Sequence, residues 1–288
     1  AGETTDIYLA AFRIPDFLYA ILITGGISTV FLPLFSEFFQ TEKKEAWNFA
    51  NNLLNTLVVV LFVLSGIAFL FAPALLQFIT PGFTEEQQEI TANLTRLMLL
   101  SPLLLGISSI FSGVLQYFGK FFSYALAPIV YNIGIIIGIV ALVPIFGIWG
   151  LGLGVILGAF FHMAVQVPAA LSSGFRWKPF MRWRDQRMMK GFLMALPRSF
   201  AAAGLHVNVI VMTAFASWIS QGSITIFTYA NDLQHFPIGL VGVSFSLAVF
   251  PSFSRLFTEK KMEEFRETFL RTFRHIFFLV VPISFFLF

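Results

Sequence analysis

Cysteine is absent from the 288 residues, which excludes disulfides and thiolate metal sites. Charge is scarce as well: Asp, Glu, Lys and Arg make up 11% of the chain, against roughly a quarter in ordinary soluble domains. The usual polar shell is therefore missing, and with 57% hydrophobic residues water cannot be the main solvent. An initiator Met and a basic leading segment are also lacking at Ala1, so neither a signal peptide nor the start of a gene is in view. No two histidines have metal-ligand spacing, no Ser/His/Asp set converges and no loop carries paired acids, so neither a catalytic residue, a metal nor a cofactor is expected. Gly150-x-Gly152-x-Gly154 lies inside an apolar stretch with no strand before it and is no dinucleotide fingerprint.

What is present is apolar length. Stretches able to cross a bilayer run over 7–36, 51–79, 95–118, 122–145, 149–172, 191–218 and 224–254, and an eighth begins near 272. They do not alternate as the short strands of a membrane barrel would, so the fold class is all-α, a polytopic membrane helical bundle with about eight spans. The 38 Phe residues suit a lipid-facing surface. Gly134-x-x-x-Gly138 and Gly154-x-x-x-Gly158 mark surfaces for close helix packing. Only 13 residues follow His275, too few for a span, so both ends are expected to be cuts in a longer chain.

The connections at 40–48, 118–121, 173–190 and 255–274 hold 15 of the 18 basic residues, whereas 80–94, 146–148 and 219–223 hold none. By the positive-inside rule the first set is cytoplasmic, which puts Ala1 on the outer face with one span missing before it. Within 175–190, Arg176, Lys178, Arg182, Arg184, Arg187 and Lys190 alternate with Trp177, Phe180, Met181 and Trp183. This predicts a cytoplasmic interfacial helix against anionic lipid over 176–190, and not a nucleic-acid patch in so apolar a chain.

Ser28, Pro33, Phe35, Ser36, Phe39 and Thr41-Glu42-Lys43-Lys44 recur as Ser246, Pro251, Phe253, Ser254, Phe257 and Thr258-Glu259-Lys260-Lys261, at an offset of 218 that slips to 217 in the loop. Six spans separate the copies, so the repeats run parallel in the membrane and imply two six-span lobes. The organisation expected is a first lobe over 1–174 lacking its first span, a basic linker over 175–190, and the start of a second lobe over 191–288.

Ionisable groups inside a span cost about 2.5 to 3.5 kcal/mol or more at the bilayer centre and are placed where function needs them. Arg13 and Asp16 flank Pro15, Arg198 follows Pro197, and Asp232 and His235 precede Pro237. Proline frees helix carbonyls that only an interior or a cavity can satisfy. Arg13 with Asp16, and Asp232 with His235, share helix faces and could also be neutralised local pairs. His206, with Asn208 beside it, lies near the face of Arg198.

Thr5-Asp6 with Ala11-Phe12-Arg13-Ile14-Pro15-Asp16, then Phe31-Leu32-Pro33, resembles the second-span signature of the MurJ/MviN family of lipid II flippases. Ala72-Pro73 with Pro81-Gly82-Phe83, Ala127-Pro128 with Asn132, and Gly222-Ser223-Ile224 through Phe236-Pro237-x-Gly239-x-x-Gly242-Val243 are similar to further family segments. The resemblance implies a fourteen-span transporter in two lobes around a cationic cavity, of which this chain holds the second span to part of the ninth. It implies alternating access that carries undecaprenyl-linked lipid II to the outer leaflet of a bacterial inner membrane, with no covalent chemistry. Arg13, Asp16, Arg198, His206, Asp232 and His235 are then cavity candidates, with Asp6 and Asn208 behind them. The chain departs from the family at Asp232, where Arg is common, at His235 and Thr24, where acids are common, and at Tyr19, where a base is common. Coupling to the membrane potential, a proton or sodium, and action as a monomer, are expectations of the same kind. Export of polysaccharide lipid carriers or drugs within the same superfamily, or an enzyme on polyprenyl phosphates, are the alternatives.

Overall fold

The computed structural model describes residues 2–179, 181–182 and 185–287. Among these there are helices and turns but no strand, and eight helical segments are long and apolar enough to span a membrane. They are Gly2–Thr24, Lys43–Ile79, Glu85–Tyr117, Phe121–Phe146, Trp149–Ser172, Met188–Ile219, Ser223–Thr258 and Met262–Phe286. The chain forms two compact units, Ala1–Ile224 and Thr225–Phe288.

The helices run past the apolar stretches because polar residues extend them. The third begins at Glu85 and not at 95, capped by Thr84, whose hydroxyl accepts from the Gln87 N–H while the Gln87 side chain accepts from the Thr84 N–H. The last begins at Met262, so the long basic connection expected over 255–274 shrinks to a turn in which Lys260 adopts φ 56.

The interfacial helix expected over 175–190 is not formed: residues 175–179, 181, 182 and 185 are non-helical, and the next helix starts at Gln186. Phe180, Trp183 and Arg184 of that segment, like Ala1, lie outside the described residues. Asn51 of the second span donates to the Arg176 carbonyl (3.0 Å) and accepts from Lys178 N–H (2.7 Å). Asn52 does the same for the Arg182 carbonyl and N–H (3.1 and 2.7 Å). Asn55 donates to the Lys178 carbonyl (2.7 Å) and accepts from Trp177 Nε1 (3.0 Å). With its backbone partners on another helix and Pro179 in its middle, the segment is held as an extended strap.

Phe residues do more than face lipid. Phe31, Phe35 and Phe49 are buried with Trp47, Tyr117 and Phe118 packed around them, rings 5–6.5 Å apart, and Phe175 packs on Trp47 and Phe111. This aromatic core sits where the first three spans meet the strap. Elsewhere large apolar side chains such as Phe62, Phe78 and Phe122 are exposed, as lipid contact requires. The glycine surfaces are as expected: a methyl on Gly134 would collide with the Gly158 backbone, and one on Gly138 with Gly154, so the fourth and fifth spans touch backbone to backbone.

Both copies of the repeat share a feature beyond sequence. The first span turns π-helical over Ala20–Ile27 and the seventh over Ile238–Val243, and 218 residues separate their first positions. Each π segment then leads into an α-helix that ends at Thr41 or Thr258.

Candidate functional site

Pro15 cannot donate to the carbonyl of Ala11, and the first span breaks at Phe12. Thr95 Oγ1 of the third span donates to that carbonyl instead (3.3 Å). The same helix serves two more prolines. Arg96 Nε donates to the Phe69 carbonyl, four residues before Pro73 (3.0 Å), and Ser101 Oγ to the Met98 carbonyl, four before Pro102 (2.8 Å). Thr95, Arg96 and Ser101 thus take up the carbonyls that these prolines free, and Arg96 also lies over the Phe69 ring at 5.3 Å.

The break places Arg13 and Asp16 in the half-buried interior as electrostatic neighbours. Asp16 faces a pocket of about 290 Å³ that also takes in Tyr19, Ser101, Tyr131 and His162, with Pro15, Pro102 and Pro128 in its wall. Behind it runs a polar relay. His162 Nδ1 shares a hydrogen bond with Ser108 Oγ (2.7 Å), Gln166 Nε2 donates to the same hydroxyl (2.7 Å), and Ser112 Oγ donates to Gln166 Oε1 (2.8 Å). That bond leaves His162 Nε2 as the ring nitrogen available to the pocket. One carboxylate among phenols and an imidazole suits a proton or a small cation. No group of three metal-ligating residues exists among the described residues.

Arg198 and Asn208 are exposed, whereas His206 is half-buried and within electrostatic reach of Arg13. Two residues of helix turn Asn208 roughly 200° away from His206, so these two do not act together. Next to Arg198, Ser199 Oγ donates to the Ile21 carbonyl inside the π segment (2.8 Å), which fixes the sixth span against the first. In the second unit Asp232 and His235 are exposed, and His235 Nδ1 bonds to the Asn231 carbonyl (2.8 Å) instead of Asp232.

Asp6 is almost completely buried at the end of the bundle that carries no Lys or Arg in its loops. Its Oδ2 accepts the N–H of Gly222 (2.6 Å), a residue at φ 92 where other side chains would be strained. Around it Glu3 accepts from Gln87 Nε2 (2.9 Å) and Gln221 Nε2 (2.7 Å), and Gly82 N–H donates to Ser217 Oγ (3.0 Å). The first, third and sixth spans and the loop after the sixth are clasped there by polar contacts.

Tyr131, Ser101 and Arg96 were not marked by the sequence, and Tyr19 entered it only as a departure from the family. Their sequence separations hide the pocket. The Asn48, Asn51, Asn52 and Asn55 stripe on an apolar helix was a visible signal that something polar crosses it.

The family model described as lipid II flippase MurJ matches residues 1–288. Curated relatives include "Probable lipid II flippase MurJ" of Buchnera aphidicola subsp. Acyrthosiphon pisum, 28% identical over 88% of this chain and 51% of the relative. The same-named protein of Haemophilus influenzae is 28% identical over 98% and 59%, and "Lipid II flippase MurJ" of Burkholderia cenocepacia 25% over 92% and 53%. The chain spans about half the length of the curated relatives it matches. A solved structure, "Lipid II flippase MurJ, inward closed conformation", superposes with a TM-score of 0.72 at 23% identity, over 91% of this chain and 54% of that one. At that identity the superposition supports the fold.

Proposed function

Because this chain belongs to the lipid II flippase MurJ family, we propose that it is part of a transporter that moves undecaprenyl diphosphate-linked lipid II across a bacterial inner membrane by alternating access. The observation that carries this is the clasp at Glu3, Asp6, Ser217 and Gly222. The positive-inside rule makes that end the outer one. A gate that must open needs a barrier of a few kcal/mol, and a handful of hydrogen bonds worth about 0.5–3 kcal/mol each supplies that better than an apolar seal.

Arg13 supplies positive charge inside, with His206 beside it, and Arg198 adds an exposed cation on the sixth span. A diphosphate in a low-dielectric cavity is held best by several cations. The Asp16 pocket supports coupling to a proton or sodium, to which the membrane potential adds about 2.3 kcal/mol per charge per 100 mV. The two π segments at equal repeat positions support two parallel lobes. Action as a monomer and contact of 176–190 with anionic lipid belong to the same reading.

Arg13→Ala and Arg198→Ala, each in the complete gene, are expected to insert normally yet fail to rescue cells depleted of their own flippase. Full rescue by both would overturn the assignment of these cations.

A further inference from the structure

Asp16 stands between a cation and a fixed imidazole. Its carboxylate has Arg13 as an electrostatic neighbour three residues back on the same span, and it makes no hydrogen bond among the described residues. Across the pocket is His162, held from behind by Ser108 and Gln166, both fully buried. The single Ser108 proton goes to the His162 carbonyl (3.2 Å), so its oxygen accepts from Gln166 Nε2 and from His162 Nδ1–H. That leaves Nε2 as a bare acceptor, without a hydrogen-bond partner among the described residues. Tyr131 meets the ring edge-on, centroids 6.3 Å apart, and keeps it from turning.

These groups suit a proton better than a metal cation. Hard cations take about six oxygens or more, carbonyls among them, and the carbonyls freed by Pro15 and Pro102 are already taken by Thr95 and Ser101. Imidazole is a poor ligand for such ions. A proton needs only the carboxylate, the ring nitrogen and water, and the pocket of about 290 Å³ has room for several waters at about 30 Å³ each.

Few other charges bear on Asp16. The second span has no titratable residue over 51–79, and Arg96 of the third is committed to the Phe69 carbonyl and Asn93. Tyr8 and Tyr19 of the first span and Tyr131 of the fourth face it with neutral phenols, and Tyr124 stands beside Tyr19. His206 of the sixth faces Arg13.

We infer that a proton taken up by the pocket of Asp16 and His162 and a diphosphate bound at Arg13 favour each other. With Asp16 ionised, Arg13 is offset by its own helix neighbour. With Asp16 as the neutral acid, the guanidinium charge is left to the diphosphate. The linkage is mutual, so the diphosphate tightens proton binding by the same factor, typically about 5–150-fold for such coupled sites. When the diphosphate leaves, the Asp16 O–H bond breaks and the proton passes through pocket water to His162 Nε2, and from there back to water. The diphosphate half of this rests on the flippase reading, whereas the proton site does not.

The test is calorimetry of undecaprenyl diphosphate binding to the purified complete protein, in paired buffers of different ionisation enthalpy so that protons taken up are counted. The wild type is expected to bind roughly tenfold tighter at mildly acid than at mildly alkaline pH. It should also take up more protons on binding than Asp16→Asn, a comparison that removes the ligand's own protonation. Asp16→Asn, which mimics the neutral acid, should bind tightly at both pH values. His162→Asn, whose amide can keep the Ser108 contact, should move the wild-type pH profile to more acid values, because the neutral acid loses its acceptor; a merely structural histidine would leave the profile in place. Equal proton uptake by the wild type and Asp16→Asn would overturn the inference. A wild type that binds no diphosphate at any pH would overturn the flippase reading and the linkage together. Infrared difference spectra then tell the failures apart: a protonated-carboxyl band lost in Asp16→Asn keeps the proton site, and its absence from the wild type removes that as well.

Discussion

Proline accounts for three polar residues of the third span. Pro15, Pro73 and Pro102 each free a carbonyl, and Thr95, Arg96 and Ser101 of one helix take them up. Arg96→Ala should therefore destabilise the protein by about 1–3 kcal/mol, the cost of an unsatisfied carbonyl. Combining it with Pro73→Ala should recover most of that loss, because the backbone N–H gained by the second change can donate to the Phe69 carbonyl; a thermal-melt double-mutant cycle checks this. Asp16→Asn should preserve insertion and stability yet lower precursor turnover on the order of tenfold, as loss of one charge-assisted contact does. Arg13, Pro15 and Asp16 were legible because charge beside proline in an apolar run has few structural uses. Arg96 was not, since nothing in its own segment reveals a partner 27 residues upstream. Tyr131 and His162 were hidden for the same reason: their neighbour Asp16 is remote in sequence.

Elements were legible where period and composition decide them and misread where side chains of another element decide. The spans needed only apolar length. The basic segment after the fifth span has an aromatic and cationic pattern that suits an interfacial helix, but Asn51, Asn52 and Asn55 outcompete helical hydrogen bonding for its backbone. Asn51→Ala with Asn52→Ala should release the strap and make trypsin cut after Arg176 or Arg182 far faster than in the wild type. Unchanged cutting would mean that the amides do not hold it. The fourth and fifth spans are the opposite case, with Gly138 against Gly154 visible in the sequence as spaced glycines. Gly154→Val should prevent their contact and sharply reduce folded protein in membranes, whereas Gly66→Val, in open space, should be tolerated.

The first span and its repeat, the seventh, each turn π-helical at the same repeat position, and the first unit has a clasp at one end and a strap at the other. The repeat was legible because Ser, Pro and Thr-Glu-Lys-Lys recur at a fixed offset; the clasp was not, because Asp6 and Gly222 meet across 216 residues. Asp6→Asn keeps one acceptor oxygen and should weaken the clasp, whereas Asp6→Ala should open it and stall the cycle. The most direct measurement of transport follows labelled lipid II in cells depleted of their own flippase and supplied with the complete gene. A hydrolase added outside should cleave the labelled precursor when the wild-type protein is present and leave it intact with Arg13→Ala. Precursor that stays protected although the wild-type protein is inserted would contradict the flippase reading.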